Sequence, residues 1–211
     1  MSVVRRFIVR LGSATSRVPR DLAQAIRWGP RAPRRGEIID VDPSAVNGYL
    51  TVAMARQASP SSVRGGRFGY IVGGDWDTLV PVADITATDV YVSCRMRWID
   101  ERRWEDTPVF QQYVERMQRG EMPRFRSERA LLERYVALDD VFEHVRRTRT
   151  LSERSEHLVL VSVGRDGRLI YGPDGRHRLV IALIAELAAM PARVGIVHRA
   201  GVDHFQALRR V

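Results

Sequence analysis

At 211 residues, 45% apolar and 28% charged, the chain suits one domain with a buried core. Its single cysteine, Cys94, excludes an internal disulfide, and no apolar run approaches the roughly 20 residues that a spanning helix needs. The formal charge of +9 comes from arginine without lysine and is unevenly placed: residues 1 to 36 hold nine arginines against one acid, Asp21, and so carry +8 of it.

That basic arm comes first in the chain. Val3 to Leu11 alternates arginines with Val, Phe, Ile and Leu, and Leu22 to Trp28 has the pattern of a second short amphipathic piece. Such an arm can lie on an anionic membrane surface, contact a protein partner or RNA, serve as a targeting segment, remain a solvated tail, or pack on the domain. Pro30, Pro33 and Gly36 mark its boundary, which divides the chain into an arm of residues 1 to 36 and a domain of residues 37 to 211. Because the domain is almost neutral, nucleic acid is the less favoured partner. The expected location is the cytoplasm, with peripheral attachment to a membrane as the arm's contribution.

Glu37 to Val41 predicts a first or edge strand, ended by Asp42-Pro43. Ser44 to Ala58 fits a buried strand or a helix equally well, and Ser59 to Gly69, with Pro60 and Gly65-Gly66, predicts a loop. Next comes Val72-Gly73-Gly74-Asp75-Trp76-Asp77. If this segment is extended, Asp75 and Asp77 point the same way, where one carboxylate can hold Mg²⁺ and the other can orient or deprotonate a hydroxyl. The alternative is that both carboxylates cap turns or pair with arginines around a core Trp76.

Ala87 to Ile99 and Thr107 to Gln118 predict helices, the second with Thr107 as N-cap and Pro108 in the first turn. Ser127 to Arg147 predicts a long helix, with a break near Asp139-Asp140 as an option and an apolar stripe through Leu131, Tyr135, Leu138, Phe142 and Val145. The arginines that follow, Arg146, Arg147 and Arg149, form either a solvated terminus or an addition to an anion pocket. Leu158 to Val163 and Arg168 to Tyr171 predict a hairpin joined through Asp166-Gly167. After it, Gly172-Pro173-Asp174-Gly175-Arg176-His177-Arg178 runs into a helix through Leu187, and Pro191 closes that helix before a last strand, Ala192 to His198.

A glycine-rich turn opening a helix presents unpaired N–H groups at the helix's positive end, a ready site for phosphate. In that role the N–H groups of Gly175, Arg176 and His177 cradle oxygens, Arg178 neutralises charge and His177 donates a hydrogen bond. Asp174 can hold a metal, orient a substrate hydroxyl or cap the helix.

The run Asp174 to Leu187 followed by Met190 to Val197 resembles the ParB/sulfiredoxin-like superfamily, in which a Gly-x-[His/Arg]-Arg turn before a helix holds nucleotide phosphates. The pieces Ile38 to Pro43, Val72 to Asp77, Trp104 to Phe110 and Leu138 to Arg147 are similar to a branch of small single-domain ParB-like proteins. The resemblance implies an α/β (α+β) fold, a small mixed sheet flanked by helices, with the basic arm as an extension. It also implies a nucleotide, ATP, ADP or CTP, with Mg²⁺ as a companion. Sulfiredoxin-like reductases carry a cysteine in the turn where this chain has Arg176, which removes that chemistry. ParB partition proteins carry two arginines and a following helix-turn-helix, whereas here His177 replaces the first arginine and no helix-turn-helix is recognisable. The Asp-Gly-x-His-Arg turn also resembles that of an archaeal free-serine kinase, which transfers a phosphoryl group to a small hydroxyl.

Three functions follow from these readings. The first is phosphoryl transfer to a small hydroxyl acceptor or nucleotide hydrolysis, with Asp174, Asp75 and Asp77 as catalytic candidates and Asp75 and Asp77 as metal candidates. The second is nucleotide-gated binding without turnover, in which the arm docks to a membrane or partner. The third is a ParB-like nucleic-acid-binding or nuclease-like module.

Overall fold

The computed structural model describes residues 18–34, 36–58, 69–121, 125, 127–153 and 158–209, with side chains from residue 22 onward except at Ala58. Val3 to Leu11 and nearly all of the expected loop from Ser59 to Gly69 lie outside the described residues. Among the described residues, the helices are α1 (Val18–Trp28), α2 (Val52–Ala58), α3 (Asp89–Trp98), α4 (Pro108–Gln118), α5 (Glu128–Thr148), α6 (Arg176–Ile184) and α7 (Val202–Ala207). The strands are β1 (Ile38–Val41), β2 (Val46–Tyr49), β3 (Tyr70–Val72), β4 (Val159–Val163), β5 (Leu169–Tyr171) and β6 (Met190–His198). The fold is mixed α/β, as the sequence predicts.

The sheet runs β1-β6-β4-β5-β2, and β3 pairs with the far half of β6 beside β1. β6 is therefore the spine. It lies parallel to β3 and β4 and antiparallel to β1, while β4 and β5 form the expected antiparallel hairpin and β2 runs parallel to β5. All five residues of β4 are buried, as expected of a strand flanked on both sides and covered on its faces. Leu169, Tyr171 and Val197 join the main core under α3 to α6, whereas Ile170 and Ile196 point to the other face, where Trp76 and Val80 close a smaller cluster.

Ser44 to Ala58, ambiguous by periodicity, holds both alternatives in succession: a short 3-10 turn, then β2, then α2. Pro191 lies inside β6 and does not precede it. The N–H of Val194 donates to Glu37 O, so alternation along the antiparallel ladder puts the Asp40–Pro191 pair at a non-hydrogen-bonded position, where β1 does not miss a proline's absent donor. α5 continues unbroken through Asp139-Asp140, starts on a Ser127 side-chain cap to Ala130 N, and buries the predicted stripe. Thr107 departs from expectation: its hydroxyl donates to Trp104 O at 2.6 Å, so α4 starts without a side-chain cap.

No helix among the described residues is long and apolar enough to cross a membrane.

Candidate functional site: an arginine turn at the start of α6

The turn after β5 can be built only with glycine at two positions. Gly175 has φ +91°, and a Cβ on it would fall 2.3 Å from Val159 Cα; at Gly172, φ is +116° and a Cβ would fall 2.5 Å from Leu50 O. The turn is stitched to the start of β4 by Gly172 N donating to Leu160 O at 2.9 Å and Leu160 N donating to Asp174 O at 3.3 Å. Gly175 is the N-cap of α6 and supplies no side-chain bond; Arg176, His177 and Arg178 form the first helical turn, in which the Arg178 N–H donates to Gly175 O at 2.9 Å and the N–H groups of Arg176 and His177 precede the first intrahelical acceptors. Asp174 is exposed beside this turn and does not cap it, which corrects one of its expected roles.

The three side chains of that turn diverge. The Arg176 guanidinium lies 4.8 Å from the centre of the Tyr49 ring, which itself stacks on Tyr171 at 4.9 Å. Arg176 also lines a cavity of about 390 Å³ with Thr88, Asp89, Gln112, Tyr113 and Arg116. Burial works against its charge, but the phenols of Tyr171 and Tyr49 outweigh burial and raise its pKa. His177 meets Tyr135 edge-on at 5.8 Å. Arg178 is half-buried, and its pKa is lowered first by burial and then by the like charge of Arg134 on α5. Among the described residues, neither Arg176 nor Arg178 has an ion-paired carboxylate. Two cations held half out of water without a counter-charge favour an anionic ligand. Tyr135, buried beside them, has no hydrogen-bond partner for its hydroxyl among the described residues.

Asp75 and Asp77 are elsewhere. The segment after β3 is a turn, not the extended run on which the metal reading depends, and both carboxylates converge on one guanidinium. Asp77, 5% exposed, accepts from Arg165 N at 2.8 Å and from its Nε and Nη2, so both of its oxygens are engaged; Asp75, 78% exposed, takes Nη2 at 2.8 Å. Burial pushes the Asp77 pKa up, but the Arg165 hydrogen bonds prevail and hold it at about 2. His198 closes this end: Ala200 N donates to its Nδ1, so Nε2 carries the proton that goes to Gly74 O at 2.9 Å. Among the described residues no group of three or more His, Cys, Asp or Glu side chains is placed to hold a metal.

The two ends are separated by the length of β4. Gly175 packs against Val159 at its start and Arg165 follows its end, so at ~3.3 Å per residue the Asp75–Asp77 turn lies roughly 20 Å from the α6 turn. Of the three catalytic candidates, only Asp174 stands beside Gly175, Arg176, His177 and Arg178.

The other motif pieces also have structural partners. Asp139 accepts from Trp98 Nε1 at 2.8 Å, from Trp104 Nε1 at 3.1 Å and from Arg97, which pins α3, the Trp104 turn and α5 together. Arg149 donates to the carbonyls of Ala185 and Glu186, just past the C-terminus of α6, and Arg146 pairs with Glu143. Neither arginine adds to the Gly175–Arg178 turn, which is at the other end of α6. Sequence reasoning missed Tyr49, Tyr171 and Arg116. Tyr49 and Tyr171 each end a strand of the parallel β2–β5 pair, and no local spacing signals that they meet. Compared with protein-family models, curated proteins and solved structures, the chain matches none.

Proposed function

We propose that this protein binds a nucleotide, ATP, ADP or CTP, through its phosphates at the Gly175–Arg178 turn. The observation that carries this reading is the pair of half-buried arginines, Arg176 and Arg178, in the first turn of α6 with no ion-paired carboxylate among the described residues. A phosphate there would meet the helix's positive end and supply the missing negative charge. The cavity beside Arg176 provides room for the rest of the ligand. Phosphoryl transfer to a small hydroxyl is the second reading, and it is favoured by the exposed Asp174 next to the turn. In that version Asp174 accepts the acceptor's proton as its oxygen attacks the terminal phosphorus, and the nucleoside diphosphate leaves. A ParB-like ancestry is part of the same proposal.

Isothermal titration with ATP, ADP and CTP, each with Mg²⁺, tests the binding reading. At least one is expected to bind, and Arg178→Ala to weaken it about tenfold or more, the loss expected for a charge-assisted contact. Binding by none, or binding indifferent to Arg178, contradicts it. Asp174→Asn then separates the two readings: retained binding with loss of nucleoside diphosphate release supports transfer.

A further inference from the structure

The described part of the basic arm forms a helix whose exposed apolar side faces away from the domain. Gln24 fixes the orientation of α1: its Nε2 donates to Ile71 O at 3.1 Å and its Oε1 accepts from Ile71 N at 3.2 Å, so the side-chain amide pairs with β3 as a neighbouring strand would. Trp28, four residues on and thus on the same side, packs on the main core. Just past the helix, Arg31 pairs with Asp203 and accepts through its carbonyl from Gln206 at 3.0 Å, which ties the arm to α7. Leu22 and Ile26 are offset from Gln24 and Trp28 by two positions, about 200° around the helix. They are 57% and 77% exposed, the latter more than any other large apolar side chain among the described residues. A helix that turns Gln24 inward and leaves Leu22 and Ile26 in water is amphipathic toward something other than its own domain.

Charge identifies the occupant. The arm's net charge of +8 includes Arg5, Arg6, Arg10 and Arg17 ahead of the described helix in sequence, and exposed Arg27 next to Ile26. A second copy meeting this face would bring the same positive arm against it. Nucleic acid would satisfy the arginines but leave Leu22 and Ile26 without a partner. A bilayer with anionic headgroups satisfies both, taking the apolar pair at the headgroup–acyl boundary and the arginines at the phosphates. We propose that α1 is an interfacial membrane anchor, which lies in the surface of an anionic bilayer with Leu22 and Ile26 inserted and the α/β domain held on the aqueous side. This anchor is independent of the nucleotide site.

The test is co-sedimentation of the full chain with vesicles of phosphatidylglycerol and phosphatidylcholine mixed equally, beside vesicles of phosphatidylcholine alone. The expected result is binding to the anionic vesicles, weak binding to the neutral ones, and a several-fold fall in about 0.5 M NaCl. Leu22→Asp with Ile26→Asp is expected to lower the partition coefficient about tenfold or more while leaving the melting temperature unchanged, since both side chains are exposed. Absence of binding to anionic vesicles overturns the proposal, and so does equal binding by the double variant, which would mean attraction by arginines alone. A dimer of the wild-type chain in light scattering that the double variant abolishes also overturns it, because the apolar face would then be covered by a second copy.

Discussion

The two ends of β4 carry similar residue types in opposite electrostatic states. At its C-terminal end Arg165 meets two carboxylates and the Gly74 carbonyl, Arg168 donates to Asp77 O and Val80 O, and His198 is bonded at both ring nitrogens. At its N-terminal end Arg176 rests on an aromatic ring and Arg178 faces the like charge of Arg134, each without a carboxylate among the described residues. The contrast separates charge that holds the fold from charge available to a ligand. By sequence alone Asp75 and Asp77 stand beside Asp174 as catalytic candidates, yet these two acids neutralise an arginine that belongs to the fold. The Gly175–Arg178 turn, read from sequence as a phosphate site, keeps Arg176 and Arg178 without an ion-paired carboxylate among the described residues.

The sharpest way to break this contrast is at Gly175. Gly175→Ala places a methyl 2.3 Å from Val159 Cα at φ +91°, and a loss of about 3 kcal/mol or more in denaturant unfolding is expected. A fully stable alanine variant would mean that the turn does not pack on β4 as described. Next in size is Asp77→Asn, which leaves Arg165 without its buried partner. It should cost about 2 kcal/mol, discounted because the arginine is 37% exposed, while nucleotide affinity at the other end stays unchanged. The same carboxylate predicts a pH effect. Asp77 titrates at about 2 in the folded chain against a usual 3.8, so its contribution is full above about 3.8 and is lost as pH falls from there toward 2. Urea titrations of wild type across that window should show an acid-dependent decline that Asp77→Asn flattens. Smallest is Asp75→Asn: its carboxylate is 78% exposed, so a change within about 0.5 kcal/mol is expected. A larger loss would show that Asp75, and not Asp77, anchors Arg165.

Much of the scaffold was legible because local signals agreed: the Asp166-Gly167 hairpin, the α5 stripe, the edge strand at Glu37 to Val41 and the glycine turn before α6 all appear in the fold. What escaped the sequence depends on distant contacts. The Asp139 carboxylate gathers two indoles 41 and 35 residues away, and Asp77 meets Arg165 at a separation of 88, so neither partnership leaves a trace in periodicity. Ser44 to Ala58 resisted a single assignment because β2 and α2 share one apolar run, and only pairing with β5 ends the strand at Tyr49. In the candidate site, the glycines and arginines of the turn were visible. The aromatic pair beneath Arg176 was not, because Tyr49 and Tyr171 meet through the parallel pairing of β2 with β5.

The measurement that bears most directly on this account is one nucleotide titration run on three proteins: wild type, Asp77→Asn, and Arg176→Ala with Arg178→Ala. Equal affinity in the first two, with a loss of about tenfold or more in the third, is the predicted result. Binding that survives in the double arginine variant and disappears in Asp77→Asn would contradict it, and would move the ligand to the opposite end of the sheet.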